Sequence, residues 1–110
     1  MDKYIILLPL NYNDGRPVPR PIVRQLIQRV YNLGDGCTVE GEVKGAYKMK
    51  TGRKQEDRLL KVSVLISAGR AGELRELVRQ FCIRLRQESM WLEKSMSVVE
   101  FVGPEPTEGT

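Results

Sequence analysis

Gln87, Glu88 and Ser89, followed two positions on by Trp91, separate an amphipathic run from a last apolar one and are the most pointed candidates for chemistry in this sequence. A carboxylate such as Glu88 can give or take a proton, or neutralise a cation. Glu56 offers a second carboxylate, and Arg16, Arg20 and Arg53 offer guanidinium forks suited to an anion. Glu88 is expected in the last turn of a helix, where it opposes the helix dipole. A salt bridge to Arg53 or Arg20 would offset that cost without any chemistry. Trp91 either plugs the end of the core or stacks on a ligand.

Composition narrows these options. The 110 residues include no histidine, so the commonest general base and metal ligand is missing, and no cysteine pair stands at ligand spacing. No metal and no cofactor are expected. The net charge of +4 is concentrated between Arg16 and Arg29 and again between Lys44 and Arg58. Such a balance favours phosphate-bearing partners, or is only a solvated basic surface. Cys37 and Cys82 are expected as reduced structural thiols, which suits a cytoplasmic setting. The apolar run at residues 4–10 is too short for a membrane span or signal peptide, so no membrane partner is expected.

The elements that must position these residues are organised around residues 59–67. Leu60, Val62, Val64 and Ile66 fall on one face at the strand period of two, with Leu59, Lys61, Ser63, Leu65 and Ser67 on the other. One face is core and the other mixed, as in an antiparallel sheet covered by helices on one side. Residues 4–10 read as an interior strand ended by Pro9. After a loop rich in proline, residues 21–33 show two apolar helical rows, and Gly34 and Gly36 are expected to end that helix in the left-handed conformation. Residues 38–50 form a charged, glycine-containing edge strand, residues 73–89 a second helix, and residues 96–102 the last strand.

The order β-α-β-β-α-β predicts an α+β, ferredoxin-like sandwich: a four-stranded antiparallel sheet of order 4-1-3-2 with two helices on one face. The domain is expected over residues 1–103, followed by a flexible tail at 104–110. In this topology the loop after the first strand, the turn near residues 51–54 and the exit of the second helix share one end. That end collects Arg16, Arg20, Arg53, Glu56, Gln87, Glu88 and Ser89.

From Gly36 onward the chain resembles an uncharacterised bacterial family, a domain of unknown function. The resemblance rests on Gly36-x-Thr38-Val39, Gly45-x-Tyr47, Gly52-Arg53, Glu56, Lys61-Val62 and, above all, Gln87-Glu88-Ser89 before the last strand. Tyr47 stands where that family often has tryptophan. The resemblance implies a ferredoxin-like fold and no known activity, and it points to the same end of the molecule.

Three functions fit these residues. The first is a small non-catalytic binding or interaction module that dimerises through its uncovered sheet face. The second is nucleic-acid or phosphate-ligand binding through the basic hairpin, although strand three lacks the aromatics that RNA-binding versions of such a sheet use. The third is a small enzyme using Glu88 or Glu56 with Arg53.

Overall fold

β1 (Asp2–Pro9), α1 (Arg20–Leu33), β2 (Gly36–Lys48), β3 (Lys54–Ile66), α2 (Ala71–Arg84) and β4 (Trp91–Lys94) follow in that order in a computed structural model that describes residues 1–106. A single 3-10 turn, Ala68–Arg70, leads into α2. The sheet runs β2-β3-β1-β4 with every neighbouring pair antiparallel, which is the expected order read from its other edge.

Alternation along the two central strands places Tyr4, Ile6 and Leu8 of β1, and Val62, Val64 and Ile66 of β3, in the core. The helices close it with Leu26 and Val30 from α1 and Leu74, Leu77, Val78, Phe81 and Leu85 from α2 and its cap. Leu60 packs against this cluster from its margin. The core face of the central strand is therefore the expected one.

The left-handed helix end expected at Gly34 does not occur. Gly34 is extended, at φ −97° and ψ 173°, and its N–H donates to the Val30 carbonyl. Glycine serves close approach here: a Cβ would meet the Val64 side chain and lie 2.8 Å from the Leu65 carbonyl oxygen. Gly36 does not end the helix either, because it already opens β2.

The second helix ends earlier than its composition suggests, at Arg84 rather than Ser89. Arg86 takes a left-handed φ of 55°, its N–H donates to the Ile83 carbonyl (3.1 Å), and the Gln87 N–H donates to the Cys82 carbonyl (3.0 Å). These paired bonds form a Schellman motif, usually built on glycine. Glu88 accordingly lies beyond the helix, and the dipole conflict expected for it does not arise.

Early termination also moves the last strand. β4 is Trp91–Lys94, not residues 96–102; Trp91 pairs with Leu7 and Lys94 with Tyr4. Once those four residues occupy the β1 edge, the following apolar run leaves the ladder. Val99 and Phe101 instead line a shallow pocket with Lys3, Thr38, Ser63 and Leu65 on the helix-free face of the sheet. That face, expected to be open, is thus partly covered by its own chain, and Ser63 is only 7% exposed. Residues 104–106 are exposed, and the last four positions of the expected tail lie outside the described residues.

β2 and β3 are longer than the strands beside them, so their ribbon projects past the end of β1, where Pro9 pairs with Leu59. Its turn is closed by the Met49 N–H to the Arg53 carbonyl and the Gly52 N–H to the Met49 carbonyl, both at 2.8 Å, with Gly52 at a φ of 85°. A register shift between Val39 and Gly41 marks a bulge in the edge strand, where Gly41 has a φ of 117°.

Candidate functional site

Three connections meet at the end where the ribbon projects. The Lys50 N–H donates to Glu88 Oε2 at 3.2 Å, and Asn13 Nδ2 donates to the Arg86 carbonyl at 3.5 Å. Between them, on the helix-free face, lies a cleft of about 340 Å³. Its floor is apolar, formed by Leu7, Pro9 and Leu59, the last only 4% exposed. Tyr47, Lys48 and Met49 line one wall, and residues 87–91 the other.

Strand register explains which side chains point inward. Tyr47 pairs with Gln55 and Gly45 with Asp57, so Tyr47, Gln55, Asp57 and Leu59 share the helix-free face at period two. Trp91 lies directly opposite Leu7, and cross-strand partners present their side chains on the same face. The indole Nε1–H donates to Glu93 Oε1 at 3.0 Å, which holds the ring in place while 49% of the residue stays exposed. Gln55 Nε2 donates to Asp57 Oδ1 at 3.2 Å and turns that carboxylate. The cleft thus offers two carboxylates, Asp57 and Glu88, and two aromatic rings, Tyr47 and Trp91, above an apolar floor, while Lys48, next to Tyr47 on β2, lines its rim with the side chain on the opposite face of the ribbon.

Gln87, Glu88, Ser89 and Trp91 line this cleft. The other four candidates lie elsewhere. Arg16 is engaged within its own loop: Nε donates to Asp14 Oδ2 at 2.6 Å, and the guanidinium lies 5.3 Å from the Tyr12 ring centroid. The Arg16 backbone N–H and guanidinium in turn hold the Asp14 carboxyl below its ordinary range. Arg20 opens α1 and borders a separate shallow pocket with Arg24, Glu42 and Arg58. Arg53 sits in the ribbon turn with no ion pair among the described residues. Glu56 points away from the cleft, pairs with Lys54 at 3.0 Å and lines a groove behind the ribbon with Asn11, Lys44 and Arg58. Neither Arg53 nor Arg20 bridges to Glu88, whose partner is a backbone N–H.

Sequence reasoning missed Tyr47 and Asp57 as cleft residues. The signal was present, since Gln55 and Asp57 continue the alternation of Leu59 and Lys61, but a turn placed near residues 51–54 and a strand begun at Leu59 hid it. No group of three or more potential metal-ligating side chains occurs among the described residues. Both cysteines are free; partial burial raises the Cys37 thiol pKa above its ordinary value. No helix among the described residues is long and apolar enough to cross a membrane.

The fold, with two helices on one face of a four-stranded antiparallel sheet, has similar solved structures. A phage SAM lyase in complex with S-methyl-5'-thioadenosine matches with a TM-score of 0.69 at 14% identity, over 86% of this chain and 79% of that one. A phage SAM lyase in the apo state matches with a TM-score of 0.65 at 16% identity, over 86% of this chain and 78% of that one. At such identities the likeness is one of fold. No family model and no curated protein matches the chain.

Proposed function

We propose that the cleft binds a nucleoside sulfonium of the S-adenosylmethionine class and that the protein cleaves it as a small lyase. The observation that carries this reading is the cleft's composition: Asp57 and Tyr47 from the ribbon on one side, Glu88 and Trp91 on the other, over Leu7 and Leu59. A sulfonium is a cation with apolar substituents, attracted both by carboxylates and by aromatic faces. A purine can stack on an aromatic ring. The volume of about 340 Å³ lies in the range of small-molecule sites. Likeness in fold to a phage SAM lyase, one structure of which holds S-methyl-5'-thioadenosine, supports the same choice.

The absence of histidine from the sequence is compatible with this chemistry. As the bond between sulfur and the γ-carbon of the amino-acid portion breaks, its electron pair goes to sulfur and the substrate's own carboxylate oxygen bonds to that carbon, closing a lactone; the thioether departs neutral, so no acid is needed to activate it and no protein base is consumed. Asp57 and Glu88 hold the cation, and discharge of that cation weakens their grip on the thioether product. The test is incubation of purified protein with S-adenosylmethionine, following S-methyl-5'-thioadenosine by chromatography and binding by calorimetry. Saturable heat and release of the thioether are expected; neither signal at millimolar S-adenosylmethionine would sink the proposal.

A second reading, a homodimeric interaction module, draws support from another surface. Met96 and Val98 are 91% and 88% exposed beside Phe101 and Val102, more apolar side chain than an extended segment ordinarily leaves in water. Association of two copies would cover it, and sedimentation tests that directly. The β-α-β-β-α-β order and the sheet order support a ferredoxin-like assignment, and the position of Gln87-Glu88-Ser89 on the cleft gives a physical reason for the motif that carries the bacterial family resemblance.

A further inference from the structure

We infer that Gly45 is the positioning residue of the cleft: the missing side chain lets the Tyr47 ring lie back along β2 toward Asp57, and any larger residue there displaces it. This deepens the reading of the cleft as a ligand site and rests on it. Gly45 and Tyr47 are two apart on the same strand and share a face. A Cβ built on Gly45 would lie 2.6 Å from Tyr47 Cε2 and 2.7 Å from Cζ, and would also collide with the hydroxyl oxygen. The phenol end of the ring therefore occupies the space above Gly45. Backbone conformation does not demand glycine here, because Gly45 is not among the residues with positive φ. Space for the ring is what it supplies.

Register makes the placement consequential. Gly45 is the cross-strand partner of Asp57, so the space above Gly45 is the space beside the Asp57 side chain. The ring lying there forms the cleft wall next to a carboxylate already turned by Gln55. A ligand cation at Asp57 would meet the aromatic wall at the same point. A Cβ at position 45 pushes the ring outward, toward solvent, because Tyr47 is on an edge strand with no strand beyond it. The wall opens while the ladder stays intact.

The experiment is a double-mutant cycle on the full chain, Gly45→Ala, Tyr47→Leu and both together, with S-methyl-5'-thioadenosine as calorimetric probe and NMR on the unliganded proteins. A ring seated on Gly45 shifts the Gly45 Hα signals upfield, and Tyr47→Leu should abolish that shift. Gly45→Ala and Tyr47→Leu should each weaken probe binding about tenfold. The double variant should be no weaker than Tyr47→Leu alone, since Gly45 acts only through the ring. Unshifted Gly45 signals, wild-type affinity in Gly45→Ala, or a further tenfold loss in the double variant would overturn the inference. Should the wild type take up neither this probe nor S-adenosylmethionine while the ring-current shift is present, the proposed ligand falls and the positioning of Tyr47 by Gly45 stands.

Discussion

Glu88 shows how one carboxylate can serve two ends. One oxygen accepts the Lys50 N–H and ties the exit of α2 to the ribbon turn, while the side chain lines the cleft. Glutamine can accept the same N–H through its amide oxygen, so Glu88→Gln should change unfolding free energy in urea by no more than about 0.5–1.5 kcal/mol. Removal of the charge should reduce affinity for cationic S-adenosylmethionine more than tenfold, and affinity for the neutral S-methyl-5'-thioadenosine much less. A loss of stability well above that range with both affinities unchanged would make Glu88 a purely structural tie. The residue stood out in the sequence as a carboxylate expected in the last turn of a helix, against the dipole; with α2 ending at Arg84 that reason falls away, and the Gln87-Glu88-Ser89 motif remains as the signal. Its partner was not legible, since a backbone N–H from a distant turn leaves no mark in side-chain chemistry.

At the scale of elements, the end of α2 decides where the site falls. Termination at Arg84, with Arg86 left-handed and the Gln87 N–H bonded to the Cys82 carbonyl, turns the chain so that residues 87–91 form a wall rather than another helical turn. An arginine at φ 55° is less favourable than glycine, which has no Cβ to clash. Relief of that clash, about 1–2 kcal/mol, exceeds the added unfolded-chain freedom of glycine, about 0.5–1 kcal/mol, so Arg86→Gly should stabilise the fold by about 0.5–1 kcal/mol, seen as a rise in the urea midpoint with unchanged slope. A lower midpoint would mean that the arginine side chain makes a contact outweighing its backbone strain. Sequence reading carried the helix to Ser89 because the usual glycine marker is missing, and the apolar period alone continues through Leu85.

For the whole molecule, the helix-free face is divided between two uses. Its upper part is the cleft, and its lower part is approached by Val99 and Phe101, which line a pocket with Ser63 and Leu65. Met96, Val98 and Val102 remain exposed. If two copies associate over this region, Leu65→Glu should give monomers by sedimentation with the fold retained, since Lys3 is its cross-strand partner and supplies an opposite charge. A wild type that sediments as a monomer at high concentration would remove the dimer altogether. Loss of helical circular dichroism in the variant would place Leu65 in the fold rather than in an interface.

The sequence by itself determined the order of four strands and two helices in an α+β sheet, the places of the first three strands and both helices, the core face of the central strand and the end at which the connections gather. Each follows from apolar periodicity and chain order, which are local or topological and survive errors of a few residues. Only the tertiary structure decided that the final ladder strand is residues 91–94 and that the apolar run after it lies over the sheet, because a strand in a ladder and a segment laid on a face share one hydrophobic pattern. It also decided the membership of the cleft. Asp57 and Tyr47 enter through antiparallel register across a long ribbon, while Arg16 and Glu56 are taken by Asp14 and Lys54 within a few residues of themselves. Short-range ion pairing and strand register are settled by distances of a few ångströms, and those come into being only when the chain has folded.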